Sequence, residues 1–185
     1  MIDSKEEEEK YMYNNGIYCE INDEKTKQNL IDARQYMPYI YEDARSYQSA
    51  MKREDYNKAV AEAQQIGEKS LKAIAKKNGH LSNNLRKGKN GHNLNKLSSG
   101  CGCDVQVSKE SLQKLTNGYF NARYPESKMK YNKEEAEEMG MVAFKLMDKT
   151  IEELDIQYSE LDKELGYNKE QKSIDDLSTF NRLMR

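Results

Sequence analysis

From Gly140 onward the apolar residues of this chain fall at alternating spacings of four and three: Phe144, Met147, Ile151, Leu154, Tyr158, Leu161 and Leu165. Side chains so spaced share one stripe of an α-helix, whereas a strand, with its two-residue alternation, cannot present them on one face. A stripe this long and narrow must be covered by other helices of the same chain or by a second chain. Asn132 with Glu135 supplies a capping-box start, and Gly166 a stop.

The remaining segments are helical as well. Leu30, Ala33, Tyr36 or Met37, Ile40, Ala44, Tyr47, Ala50 and Met51 mark a helical stretch from Lys25 to Arg53. Pro38 predicts a kink or break near Tyr36–Met37, because an interior proline removes a hydrogen bond and clashes with the preceding turn. A second helix runs from Glu54 to Lys77, where Ala59, Ala63 and Gly67 allow a neighbouring helix to come close, and Asn78-Gly79 ends it. Residues 79–91 read as a Gly/Asn/Lys loop, His92 to Leu97 as a short helix, and Ser98 to Val107 as a second loop. Ser108 is a suitable N-cap for a helix reaching Asn121. Apolar residues make up 36% and charged residues 34% of the 185, and helix formers dominate. The predicted fold is all-α: an up-and-down bundle of roughly four to six helices. Its organisation is an acidic tail over 1–24, the bundle over 25–166, and a short helix over 167–185 that packs on it, carrying Ile174, Leu177, Phe180 and Leu183.

The net charge of −2 conceals segregation: residues 1–24 carry −6, residues 69–133 carry +11 and residues 134–185 carry −7. Lys69 to Cys103 contains no acid, yet holds Lys69, Lys72, Lys76, Lys77, Arg86, Lys87, Lys89, Lys96 and both histidines, His80 and His92. Such a strip attracts anions, so a phosphate-bearing partner is expected. A second reading is that it neutralises the acidic C-terminal part within the fold. The acidic start lacks the pattern of a signal peptide, and no stretch approaches the ~18 apolar residues of a membrane span. A cytoplasmic protein with reduced thiols and no membrane partner is expected.

Phosphate-binding loops, Rossmann fingerprints, H-E-x-x-H and G-x-S-x-G are absent. His92 with Cys101 and Cys103 provides three ligands where a tetrahedral zinc site needs four, so no metal and no cofactor is expected. Arg86 and His92 suit metal-independent RNA cleavage: an imidazole deprotonates a ribose hydroxyl, and a guanidinium neutralises the phosphate. His92 at a helix start equally suits a structural role. Arg123 would clamp a phosphate and Tyr124 would stack on a base, or the two would serve a helix end and the core, with Pro125 setting the turn.

Taken in order, Gln64-Gln65-Ile66-Gly67-Glu68-Lys69-Ser70-Leu71-Lys72-Ala73, then Gly91-His92-Asn93-Leu94-Asn95-Lys96-Leu97, then Tyr119-Phe120-Asn121-Ala122-Arg123-Tyr124-Pro125 resemble HEPN domains (higher eukaryote and prokaryote nucleotide-binding) over residues 27–155. The resemblance implies an all-α bundle, a homodimer, and nucleotide or RNA as ligand. Lys69, Lys72, Arg123 and Tyr124 would then contact it, with His92 orienting or deprotonating. It further implies one half of a toxin–antitoxin pair, or a nucleotidyltransferase partner. Ribonucleases of the family carry Arg and His at the spacing of Arg86 and His92. Here Lys87 follows the Arg, where Asn, Asp or His is common in those enzymes, so binding is favoured over cleavage. A third reading is a helical adaptor that offers the Gly140–Leu165 seam to a partner.

Overall fold

The structure is a computed structural model that describes residues 24–87, 90–123 and 130–156, with Lys87 and Arg123 described by their backbone alone. Its helices are α1 (Glu24–Arg34), α2 (Met37–Lys52), α3 (Tyr56–Lys77), α4 (Asn83–Lys87), α5 (Leu94–Gly100), α6 (Lys109–Arg123) and α7 (Lys133–Glu153). No strand occurs among the described residues, and none of their helices is long and apolar enough to cross a membrane. The acidic tail before Glu24, Tyr158, Leu161, Leu165 and the helix expected within 167–185 lie outside the described residues.

Local chemistry sets the helix ends. Pro38 separates α1 from α2 and sits in the first turn of α2, where its missing N–H costs nothing. Asp55 caps α3 by accepting from the Lys58 amide at 3.2 Å, and Asn132 and Glu135 close the expected capping box at 2.9 and 3.0 Å. Ser108 accepts from the Ser111 amide at 3.1 Å ahead of α6. One expectation fails in the 79–91 loop. Asn83–Lys87 is helical, because the Arg86 amide bonds Ser82 O at 2.9 Å and the Leu85 amide approaches the Ser82 hydroxyl at 3.4 Å.

The helix expected to run to Leu165 ends at Glu153. Asp155 takes a left-handed φ of 50°. The amides of Asp155 and Ile156 turn back to Glu152 O and Ile151 O, both at 3.1 Å. This is a Schellman cap built without glycine. The Arg34 guanidinium adds a positive cap, donating to Leu154 O at 2.8 Å and to Asp155 O at 3.0 Å.

α3 is the axis of the bundle, packed by α7, α2, α6, α1 and α5. Its side chains are buried nearly all round. Gly67 makes this possible: a Cβ there would stand 3.1 Å from Leu146 and 3.5 Å from both Leu115 and Leu94, so α7, α6 and α5 all close on this point. Gly118 of α6 does the same against Val60 and Met139. These pairs, with Lys77 beside Glu153 and Asp43 beside Lys69, make α3 and α7 run one way and α2 and α6 the other. The described part of the seam (Gly140, Phe144, Met147, Ile151 and Leu154) is buried inside this bundle. That part is therefore closed to a partner helix.

Candidate functional site

Three polar residues one turn apart, Gln64, Glu68 and Lys72, form a row on α3, and all three are buried. A buried carboxylate is tolerated only when its lone pairs are met. Glu68 Oε1 accepts from Lys72 Nζ at 2.7 Å, and Oε2 accepts from Gln64 Nε2 at 3.0 Å. The third partner comes from outside the helix: His92 Nδ1 lies 2.9 Å from Glu68 Oε2. Burial pushes the Glu68 carboxyl up, but the bonds from Lys72, Gln64 and His92 together outweigh it and hold the group below the ordinary range.

Since ionised Glu68 can only accept, His92 Nδ1 carries a hydrogen. In the neutral ring the lone pair then sits on Nε2, which has no hydrogen-bond partner among the described residues. The ring stacks on Tyr119 with centroids 5.8 Å apart and planes 10° from parallel. Two supports therefore fix its orientation, while 49% of the side chain remains open to solvent. The backbone is fixed equally well. Asn93 caps α5 by accepting from the Lys96 amide at 3.1 Å, and the Leu94 amide donates to the Thr116 hydroxyl of α6, also at 3.1 Å.

The other expected site residues are placed differently. Lys72 is committed to Glu68, and Lys69 pairs with Asp43 of α2. Lys76 pairs with Asp32 at 2.8 Å and Lys77 with Glu153 at 2.7 Å. The strip that is free of acid along the chain is thus supplied with acids in space, from α1, α2, α3 and α7. Arg86 is exposed on α4, where its charge acts on the half-buried Tyr36 phenol. No bond joins Arg86 to His92 among the described residues. Arg123 ends α6 one turn beyond Tyr119, and Tyr124 lies outside the described residues. His92 and the two cysteines stand at opposite ends of α5; the Cys101 and Cys103 sulfurs are 3.9 Å apart, and burial pushes the Cys103 thiol up to about 12. No group of three or more His, Cys, Asp or Glu among the described residues is placed to hold a metal ion.

The model of the HEPN domain family matches residues 41–154, more than half of the chain. The chain belongs to the HEPN family. Its matched region begins within α2 and ends at the Arg34-capped end of α7, so it contains the whole Glu68–His92–Tyr119 arrangement. Neither the curated proteins nor the solved structures provide a match to this HEPN chain. Glu68 and Tyr119, which organise the candidate site, were not singled out as site residues by sequence reasoning. The available signal was the Gln64–Glu68–Lys72 row, whose four-residue spacing places three polar side chains on one line of a helix that is otherwise packed all round.

Proposed function

We propose that this HEPN protein binds RNA or a nucleotide at the face presented by His92. Family membership supports a nucleotide- or RNA-related role in general. The observation that carries the specific reading is the imidazole held by Glu68 and Tyr119 with Nε2 directed away from both. A histidine serving only as structure would spend both nitrogens inside the fold. One that meets a ribose hydroxyl or phosphate keeps one nitrogen free at a fixed angle. In this reading Lys72 acts at one remove, keeping Glu68 ionised. Lys69 reaches a phosphate only by leaving Asp43. Arg123 clamps phosphate at the end of α6, and Tyr124 stacks nearby. The protein acts as a homodimer and as one half of a toxin–antitoxin or nucleotidyltransferase-associated pair.

Fluorescence anisotropy with a labelled single-stranded RNA tests this. Affinity is expected to fall with added salt, and to fall further on His92→Ala and on Arg123→Ala. Binding that ignores salt, or that survives His92→Ala, removes the reading.

The carboxylate behind the imidazole favours a second reading, metal-independent cleavage. Nε2 would take the proton of a ribose 2′-OH, O2′ would attack phosphorus, and the P–O5′ bond would break with the 5′-oxygen taking a proton from water to yield a 2′,3′-cyclic phosphate. Arg86 would neutralise the phosphate oxygens. Incubating RNA with the protein in EDTA decides it. A cyclic phosphate product lost in His92→Ala supports cleavage; intact RNA leaves binding alone.

A further inference from the structure

Three rings form a continuous series from the turn before α5 onto α6. His92 stacks on Tyr119, and Tyr119 meets Phe120 edge to face, with centroids 5.4 Å apart and planes 84° apart. The middle ring is buried, but Phe120 at the outer end is 46% exposed. The core does not need it there, because Leu112, Leu115, Thr116 and Tyr119 already form the inward face of α6. A lone exposed phenylalanine is unremarkable on a surface; one that ends an aromatic series begun by an oriented imidazole is placed beside a site.

We propose that Phe120 is a nucleobase-stacking subsite for the ligand bound at His92. This rests on the reading that the His92 face takes RNA or a nucleotide. The open face of Phe120 lies one ring contact beyond Tyr119. A nucleotide with its phosphate or ribose hydroxyl at His92 lays its own base, or its neighbour's, on Phe120. Tyr119, near-perpendicular to Phe120 and stacked against His92, sets the angle between the two contacts. Every base has a π-face, so the subsite adds affinity for bases without choosing among them. The α6 residues Gln113 and Asn117, which bond each other at 2.8 Å on the solvent side of the helix, are uncharged and do not repel a polyanion lying along it.

The test measures anisotropy of the full chain with two probes of equal length and charge, a single-stranded oligoribonucleotide and its abasic counterpart. Wild type is expected to bind the base-bearing probe more tightly. Phe120→Ala should lose about five-fold or more on that probe alone, with Phe120→Trp retaining it. Phe120→Ala that binds as wild type, or that loses equally on both probes, overturns the subsite. Wild type that binds both probes alike leaves the His92 reading standing and overturns the subsite alone. Wild type that binds neither sinks the His92 reading and the subsite with it. His92→Ala should weaken both probes.

Discussion

Glu68 and Asp43 each bring a carboxylate to a lysine of the central helix, yet burial loses at the first and wins at the second. Glu68 meets Lys72, Gln64 and His92, and is held below the ordinary range against the upward push of burial. Burial raises Asp43, and Lys69 alone opposes it with a direct bond, while Glu62 and Glu42 add repulsion. The number of donors, rather than the presence of a lysine, decides whether a half-hidden carboxylate ends below or above its ordinary range. Only the group held below its ordinary range stands behind an exposed imidazole.

Removing the two carboxylates should separate these roles by the widest margin. Glu68→Ala leaves Lys72 buried without its counter-charge and takes the anchor from His92. An unfolding free energy lower by about 3–5 kcal/mol is expected from chemical denaturation. Asp43→Ala, whose carboxylate is already disfavoured and whose lysine reaches solvent, should cost about 1 kcal/mol or less. Equal losses would break the comparison.

Next in size is the effect on ligand. His92→Ala should reduce RNA affinity about ten-fold or more, as for loss of a hydrogen bond to a charged group, with a smaller loss of stability than Glu68→Ala because Lys72 and Gln64 still meet the carboxylate. Asp43→Asn should not weaken RNA binding, because it only releases Lys69 from its ion pair. If both variants bind alike, the Glu68 side of α3 is not the functional one.

Acid titration sharpens the contrast in sign. Glu68 titrates below its ordinary 4.5 in the folded chain, so its contribution to stability is complete above that pH and is lost as pH falls through the lower folded value. Asp43 titrates above its ordinary 3.8, so its contribution is complete below that pH and is lost as pH rises through the higher folded value. Melting temperatures across the acid range should therefore fall less steeply for Glu68→Gln than for wild type, and more steeply for Asp43→Asn.

Periodicity carried the bundle, since helix identity, the close approach at Gly67 and the Asn132 capping box all follow from spacing within one segment. Three things were not legible, each because it depends on distant partners. The acid-free strip suggested an open cationic surface, but Asp32, Asp43, Glu68 and Glu153 reach its lysines from four helices. Arg86 and His92 are near in sequence, yet His92 is anchored by Glu68 of α3, and no bond joins it to Arg86 among the described residues. The end of α7 depends on Arg34, which lies far away in the chain, and on an aspartate in a glycine's place.

The smallest expected effect lies at the ends of the two helices that carry these carboxylates. α3, which bears Glu68, ends at Gly79 with φ 72°, and the His80 amide returns to Ala75 O at 2.7 Å. α2, which bears Asp43, ends at Glu54 with φ 59°, and the Asp55 amide returns to Ala50 O at 2.9 Å. The two caps share one hydrogen-bond pattern, but only the first has the residue without a Cβ. A side chain in the left-handed region costs roughly 1–2 kcal/mol, partly offset because glycine loses more freedom on folding. Glu54→Gly should therefore stabilise the protein by about 1 kcal/mol or less. Gly79→Ala should destabilise it by about 1 kcal/mol, since the added Cβ also stands 3.3 Å from Asn29 Nδ2. Thermal melts of the two single variants decide it: opposite shifts place the strain at Glu54, and a Glu54→Gly protein that melts lower than wild type shows that the exposed glutamate cap carries none.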